Sequence, residues 1–275
     1  MARAGWGRRL LDLQDAGGLW GGGLYTPKWT STTYTLLLLS QCGLPEGHPQ
    51  AKKGALLLLD KGLDPDGGIN LWRPRWKHSE TCVTGMILGI ASRFSPGDRR
   101  NDSLADYLLR QQMPDGGWNC RYPARATHSS MHTTISALEG LLAYDPAATR
   151  PARERAHEFL FAHRMFRSHR TGRVIDSKMT RFTFPPQWHY DVLRGLDYLR
   201  AAAAPWDPRL QDAIDLLEKK RDAQGKWPLQ NPHHGVYHFE LEPPGQPSRW
   251  NTLRALRVLD WAQHVGGAGA FACAK

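Results

Sequence analysis

The segment "YLLRQQMPDGGWNC", Tyr107–Cys120, decides the fold of this 275-residue chain. An apolar helical run ends in a polar turn with a Gly pair, and a Trp follows the turn directly. Gly can take the left-handed conformation that stops a helix, while Asp and Pro favour a tight reversal. Trp has a large face and one N–H group, which suits a position between neighbouring hairpins. The segment therefore predicts a helix end joined to the next hairpin, rather than an active-site turn.

The same arrangement recurs along the chain, so an internal repeat is the organising feature. Related segments begin at Leu10, Leu56 and Leu216, and a further copy at Phe159–Val174 keeps its Gly but lacks the Trp. Recurrence favours a structural role over a catalytic one for the side chains of these turns. We assign the role of joining hairpins to Trp20, Trp72, Gln111, Trp118 and Trp227.

A second series of segments follows the turns, and Ser opens four of its five members. Ser before an apolar helical run predicts an N-cap, because its oxygen can accept a bond from a free backbone N–H. These second helices are apolar nearly all round, whereas the first helices are apolar on one face. The alternation predicts an all-α fold, an α/α toroid of two concentric helix rings, closed or open, from about five hairpins. We expect this domain to span residues 1–264, and the low-complexity tail 265–275 to be disordered.

Charge and composition narrow the classes of partner and compartment. The net charge of +10 and the pI of about 9.7 indicate an anionic partner or simply a basic surface. No long block of like charge is present, so we expect no nucleic-acid partner. The four Cys residues form no C-x-x-C pair, which predicts reduced thiols. We find no signal peptide and no long apolar run, so we expect a cytoplasmic protein, with peripheral membrane contact left open.

The segments "LLDLQDAGGLW", from Leu10, and "YLLRQQMPDGGW", from Tyr107, resemble the QW repeat of the squalene–hopene and oxidosqualene cyclases. That superfamily also contains the protein prenyltransferase β subunits. The resemblance covers about residues 5–264. It implies an α/α toroid with an apolar central cavity and a hydrophobic isoprenoid or terpenoid as the small-molecule partner. The D-x-D-D acid motif of the cyclases is absent, because no two Asp residues are adjacent in the chain.

The same resemblance implies an alternative with a zinc cofactor. The prenyltransferase β subunits bind Zn²⁺ through Asp-x-Cys at one inner helix start and through a His at a later one. This chain has Glu80-Thr81-Cys82 and His132 at such starts, with Glu80 replacing the Asp. Carboxylate, thiolate and imidazole suit zinc, so a zinc-dependent transferase or hydrolase with these three ligands is one alternative. A non-catalytic helical scaffold that binds a lipid or a protein partner is another.

The starts of the buried helices form the candidate site, because a ring would bring equivalent positions to one height around a cavity. The aligned positions are Tyr34, Cys82, His132, His189 and Asn251. The candidate acids and bases are Glu80, His132, His189 and Asp191. The side chains expected to line a substrate pocket are Tyr34, Trp188, Tyr190, Trp250 and Asn251. The ring faces of Trp188, Tyr190 and Trp250 could stabilise a carbocation. Capping or packing is the alternative role for each of them.

Two polar segments complete the candidate site. The segment from Arg164 to Arg181 carries six cations against the single acid Asp176. It would bind a diphosphate or an anionic membrane surface, and a solvated loop is the alternative. The segment Asn231–Glu240, with three His residues, is expected to form a loop that covers the cavity.

Overall fold

The computed structural model describes residues 1–72, 74–121 and 125–272. Within these ranges, ten α-helices make up nearly all of the regular structure, which confirms the predicted all-α class. They are α1 Gly5–Leu11, α2 Thr32–Gln41, α3 Pro49–Gly62, α4 Thr81–Phe94, α5 Arg100–Arg110, α6 Met131–Tyr144, α7 Arg150–Ala162, α8 Val192–Ala201, α9 Gln211–Lys219 and α10 Arg249–Ala272. Two 3-10 helices, Ser177–Thr180 and Pro208–Leu210, and an antiparallel pair of short strands, β1 Trp227–Pro228 and β2 Pro247–Ser248, complete the elements.

The chain forms two compact units, Met1–Ala156 with His234–Leu241 and His157–His233 with Glu242–Lys275. In the first unit, α4 lies between α2 and α6, and α3 and α5 pack on this row. In the second unit, α8 packs along α10, and α9 contacts both. Each unit therefore has buried helices backed by outer ones. The closure of the helices into a ring and a single domain over residues 1–264 remain predictions.

The burial of the helices follows their sequence patterns. Ten of the fourteen residues of α4 are buried, as expected for a helix that is apolar nearly all round. Helices α4 and α6 also approach closely through glycine. A methyl group built on Gly85 would lie 2.5 Å from the carbonyl oxygen of Ser136, so only a residue without a side chain fits there.

Three of the Trp residues that follow turns make the same hydrogen bond. Each indole N–H donates to the carbonyl oxygen ten residues earlier, over 2.7 Å from Trp20, 2.8 Å from Trp118 and 2.7 Å from Trp227. The acceptors are Leu10, Leu108 and Leu217. All three rings are fully buried. The bond adds a second donor to a carbonyl group at the end of the preceding helix, and it holds the turn against that helix.

Trp72 departs from this arrangement and does not have the joining role predicted from the sequence. The equivalent residue in the second turn is Ile69, which lies ten residues after Leu59. The backbone amide of Ile69 donates a 2.9 Å hydrogen bond to the hydroxyl of Thr84 in the next inner helix. Trp72 lies three residues further and packs edge-on against Tyr25, with ring centroids 5.6 Å apart.

The Gln that links neighbouring turns is Gln112, not Gln111 as the sequence suggested. The side-chain amide of Gln112 donates 2.7 Å hydrogen bonds to the carbonyl oxygens of Gly116 and Ala152. Gln14 makes the equivalent pair of bonds in the first turn, which supports the assignment. The sequence alone does not show which of two adjacent Gln side chains faces the neighbouring turn, because the direction of each side chain depends on where the helix ends.

Threonine hydroxyls give the inner helices a common register, and this register corrects the alignment of the helix starts. The Thr residues that accept the backbone amide of the preceding turn are Thr32, Thr84, Thr134 and Thr252. Cys82 and His132 each lie two residues before their Thr, and the equivalent residue in α10 is Trp250 rather than Asn251. Tyr34 lies about one helical turn further along its helix. The apolar pattern alone permits such a slip, because the same helix face recurs after each turn.

The predicted Ser caps are replaced by a different contact in two of the helices. Helices α4 and α6 begin at Thr81 and Met131, and their N-cap side chains make no capping hydrogen bond. The hydroxyl of Ser79 donates to Asp66 over 2.6 Å, and Ser129 likewise donates to Asp115. The carboxylate in the preceding turn is a stronger acceptor than a backbone carbonyl group, so it binds the Ser hydroxyl.

The capping prediction is correct for the last of these Ser residues. Ser248 accepts a 3.0 Å bond from the amide of Asn251 in the first turn of α10. Helix α10 continues to Ala272, and the disorder expected for the tail 265–275 remains a prediction. The rest of that tail, residues 273–275, lies outside the described residues. No helix in the described part of the chain is long and apolar enough to cross a membrane.

Candidate functional site

The predicted site residues are divided between the two units. The first unit contains Tyr34, Glu80, Cys82 and His132. The second unit contains Trp188, His189, Tyr190, Asp191, Trp250 and Asn251.

Asp191 is a buried helix cap in the second unit. One carboxylate oxygen accepts a 2.8 Å bond from the amide of Arg194, and the other accepts a 3.3 Å bond from the amide of Thr183. Burial raises the pKa of Asp191, while the charge of Arg254 opposes that shift. Because backbone amides engage both oxygens, the geometry favours a capping role over the predicted acid–base role.

Tyr190 and Asn251 also have structural partners in the second unit. The hydroxyl of Tyr190 donates a 2.6 Å hydrogen bond to the carbonyl oxygen of Met165. The side-chain amide of Asn251 donates a 3.1 Å bond to the carbonyl oxygen of Pro228, next to the short strand pair. Both residues are buried, so these contacts favour packing roles over the predicted substrate-binding roles.

The remaining aromatic candidates of the second unit are stacked on other rings. His189 lies between Trp188 and His233, with ring centroids 3.8 Å and 3.7 Å away. Trp250 stacks on Phe184 at 4.8 Å. Ring stacking fixes the orientation of these side chains. A catalytic role for His189 and substrate-binding roles for Trp188 and Trp250 remain predictions.

The first unit brings four aromatic rings together where α2 begins. Tyr34 lies 5.2 Å from Tyr25 and 4.7 Å from Trp29, measured between ring centroids. Trp72 extends the group through its edge-on contact with Tyr25. We call these four side chains, Tyr25, Trp29, Tyr34 and Trp72, the aromatic wall. Such a set of ring faces can stabilise a positive charge that forms on a bound apolar molecule.

Glu80 adjoins this wall at the start of α4. Its backbone amide donates a 3.0 Å hydrogen bond to the carbonyl oxygen of Ile69, which places the side chain beside Trp72. Burial raises the pKa of Glu80, and the opposing effects of a hydrogen bond from Trp72 and the charge of Lys28 do not cancel that shift. A carboxyl group with a raised pKa stays protonated at a higher pH and can act as a general acid.

A backbone segment of the same unit covers the aromatic wall. The amide of Trp29 donates a 2.9 Å bond to the carbonyl oxygen of Val236, and the amide of Val236 donates a 3.2 Å bond to that of Lys28. The indole N–H of Trp29 donates to the carbonyl oxygen of His234 over 3.0 Å. A side-chain contact of 2.9 Å between Thr35 and His238 adds to these bonds. These bonds hold the segment His234–Leu241 against Lys28, Trp29 and Thr35. The role of Asn231–Glu240 as a loop that covers a cavity remains a prediction.

The predicted zinc ligands are not assembled in this structure. The sulfur of Cys120 accepts a 3.2 Å bond from the amide of Cys82 and lies 3.4 Å from the hydroxyl of Thr133. Hydrogen bonding to Cys120 and burial raise the pKa of Cys82, which favours its thiol form. Over residues 1–72, 74–121 and 125–272, no three His, Cys, Asp or Glu side chains are grouped as metal ligands.

Several residues of this site were not found by sequence reasoning. Nothing in the repeat pattern distinguishes Tyr25, Lys28 or Trp29, since their contacts come from distant segments. Trp72 had a usable signal: Trp20, Trp118 and Trp227 each lie ten residues after a Leu, and Trp72 does not follow Leu59 at that spacing. Counting this interval would have removed Trp72 from the joining residues.

The fold is similar to solved structures of type II terpene cyclases. A variant of the cyclase MstE from Scytonema, bound to its substrate geranylgeranyl dihydroxybenzoate, is 17% identical with a TM-score of 0.52, over 94% of this chain and 80% of that one. A second substrate-bound variant is 15% identical with a TM-score of 0.54, over 92% and 69%. A protein from Actinoplanes is 21% identical with a TM-score of 0.52, over 93% and 81%. No protein-family model matches the chain, and neither does any curated protein. At these identities the likeness shows the fold alone.

Proposed function

We propose that this protein is an isoprenoid-handling enzyme in which Glu80 protonates an alkene and the aromatic wall stabilises the resulting carbocation. The observation that carries the proposal is the half-buried carboxyl group of Glu80, with its raised pKa, beside Trp72. The fold likeness to type II terpene cyclases supports the same class of chemistry. Glu80 would thereby replace the Asp of the missing D-x-D-D motif.

The reaction balances without a cofactor. The proton of Glu80 forms a C–H bond with the electron pair of one alkene, which leaves a carbocation at the neighbouring carbon. A second alkene of the same chain attacks that cation and closes a ring. Loss of a proton to a base completes the reaction, so the product is an isomer of the substrate. Tyr25 and Trp72 supply ring faces near the acid, where the positive charge first forms.

The cyclases of similar fold suggest a first substrate probe. MstE variants were solved with geranylgeranyl dihydroxybenzoate, a prenyl chain attached to an aromatic acid. A prenylated aromatic compound of this kind provides both the alkenes for cyclisation and a polar end for orientation. We expect a hydrophobic isoprenoid to bind with an alkene against Glu80.

Incubation with prenylated substrates and mass spectrometry of the products test the proposal. We expect a product of unchanged mass with fewer alkenes, and its loss in Glu80→Gln, because the amide cannot supply the proton. Glu46→Gln is the matched control, since Glu46 lies largely exposed in the same unit and pairs only loosely with Arg93. Equal activity of Glu80→Gln and wild type would refute the role of Glu80. Tight binding of the prenyl compound without turnover would favour the non-catalytic scaffold.

A further inference from the structure

The second unit contains a surface pocket of about 490 Å³ whose lining carries positive charge. Arg181 and Lys220 supply the charge, and Ser177, Thr180 and Gln230 supply further polar groups. The pocket lining contains no carboxylate. Two cations brought together without an acid repel each other, and an anion between them would remove that cost.

Lys220 is held in a defined position at this pocket. Its ammonium group donates a 2.9 Å hydrogen bond to the side-chain oxygen of Gln230 and lies 5.3 Å from the ring centre of Phe182. Gln230 is itself held in place, because its backbone amide donates to the carbonyl oxygen of Phe182 over 2.9 Å. Burial lowers the pKa of Lys220, and the nearby charge of Arg181 lowers it further. The charge of Asp191 opposes these two effects without cancelling them, and an anion in the pocket would add to that opposition.

Arg181 extends from a well-defined turn on the other side of the pocket. The 3-10 helix Ser177–Thr180 is capped by Asp176, which accepts a 2.8 Å bond from the amide of Lys178. The hydroxyl of Thr180 bonds back to the carbonyl oxygen of Ser177 over 2.8 Å. The backbone amide of Arg181 donates to the carbonyl oxygen of Lys178 over 3.1 Å, which fixes the backbone from which the exposed side chain extends.

The charge of the basic segment Arg164–Arg181 is not uniform. Arg167 donates a 2.9 Å bond to Asp212, and Arg164 lies 3.4 Å from the same carboxylate. Asp212 thus offsets one of the two positive charges at the start of the segment. The pocket instead combines Arg181, at the end of the segment, with Lys220, which follows α9 and does not belong to it. The sequence could not predict this pairing, because it joins residues from separate elements.

We propose that this pocket binds a phosphate-class dianion, the phosphomonoester or diphosphate group of a free metabolite or of a lipid headgroup. The guanidinium group of Arg181 offers two parallel N–H donors to such a group, and Lys220 offers a compact charge. The hydroxyl group of Ser177 provides a further donor at the rim. The inference does not depend on Glu80 or on any turnover by the first unit.

Calorimetric titration of the full chain with inorganic diphosphate tests the pocket. We expect Arg181→Gln and Lys220→Gln each to weaken binding about tenfold or more, since each removes a charge-assisted hydrogen bond. Arg173→Gln is the matched control, because this exposed cation of the basic segment does not line the pocket. The control should bind within about twofold of wild type. Thermal melts establish that each variant is folded, and the exposed Arg181 is the safer of the two positions.

Vesicle sedimentation distinguishes the two sources of the phosphate group. Phosphatidylcholine vesicles that contain phosphatidic acid present the same phosphomonoester group at a surface. Vesicles of phosphatidylcholine alone are the reference. Weaker diphosphate binding by the pocket variants supports a free phosphorylated ligand. If the pocket variants lose binding only to the vesicles that contain phosphatidic acid, the ligand is a lipid headgroup. The inference is overturned if wild type binds neither probe, or if Arg173→Gln weakens binding as much as the pocket variants do.

Discussion

The backbone amide of Trp118 donates a 3.0 Å hydrogen bond to the hydroxyl of Thr134. This bond ties the turn after one hairpin to the inner helix of the next, while the indole of Trp118 holds the preceding helix through Leu108. Both partners are fully buried, so no water can replace the hydroxyl. The recurrence of the bond in three other turns indicates that it sets the spacing between hairpins.

Thr134→Val should destabilise the protein with almost no change in side-chain volume. The substitution leaves the buried amide of Trp118 without its acceptor, which costs about 1–3 kcal/mol of the free energy of unfolding. Urea denaturation measures the loss. Thr127→Val is the control, because Thr127 is exposed, and it should change stability little. Equal effects of the two substitutions would show that the bond does not stabilise the fold.

Gly85→Ala should be far more damaging than Gly89→Ala in the same helix. The new methyl group at Gly85 meets the backbone of Ser136 at 2.5 Å, so α4 and α6 must move apart at a cost of about 3 kcal/mol or more. At Gly89 the nearest atom is 3.7 Å away, an ordinary contact, and Ala gains up to about 1 kcal/mol from its helix propensity. Chemical denaturation of both variants checks the contrast. A mild effect at Gly85 would mean that the two helices are not packed this closely.

The activity proposed for Glu80 should fall as pH rises. Only the protonated carboxyl group can donate, so the rate is full below its raised pKa and falls about tenfold per pH unit above it. A pH–rate profile with the prenylated substrate measures this limb. Glu80→Asp should retain a similar limb with lower activity, because the shorter side chain places the acid differently. A rate that increases with pH throughout would contradict the role of Glu80 as an acid.

The same group should make the fold less stable at high pH. The folded-state pKa of Glu80 lies above its unfolded value. The stability that the protonated carboxyl group contributes to the fold is therefore fully present below the unfolded pKa. It is lost as pH rises through the folded pKa. Denaturation of wild type and Glu80→Gln across this range should show that the substitution removes part of the decline. Parallel pH–stability curves would indicate that the carboxyl group is not desolvated in solution.

Tyr190→Phe should affect stability rather than substrate binding. The hydroxyl of Tyr190 bonds to the carbonyl oxygen of Met165, and its loss should cost about 1–3 kcal/mol because that acceptor is buried. Tyr144→Phe is the control, since its hydroxyl bonds to Asp102 at an exposed site. Thermal melts and KM values for the prenylated substrate are the two readouts. A raised KM with unchanged stability would instead restore the substrate-binding role predicted from the sequence.

The candidate site was predicted only in part. Glu80 was recognised as a carboxylate at the start of a buried helix, where Glu80-Thr81-Cys82 resembles Asp-x-Cys, and that signal is local. The contact of Glu80 with Trp72 was not predictable, because the Trp was grouped with the joining residues of the turns. Cys82 was paired with His132 by analogy, whereas its close neighbour is Cys120. Features formed by residues close in the chain were predictable from the sequence, whereas contacts between distant residues were not.

The sequence by itself determined the all-α class and the positions of the hairpins. Helix periodicity, Gly at the turns and the ten-residue interval from Leu to Trp are local features that appear in the letters of the chain. Only the tertiary structure decided which helix starts are equivalent and which side chains meet. A helix presents the same apolar face after every turn of about 3.6 residues, so pattern alone allows its register to slip. The buried bonds from Trp118 to Thr134 and from Ile69 to Thr84 remove that freedom, because an unpaired amide in the core is costly.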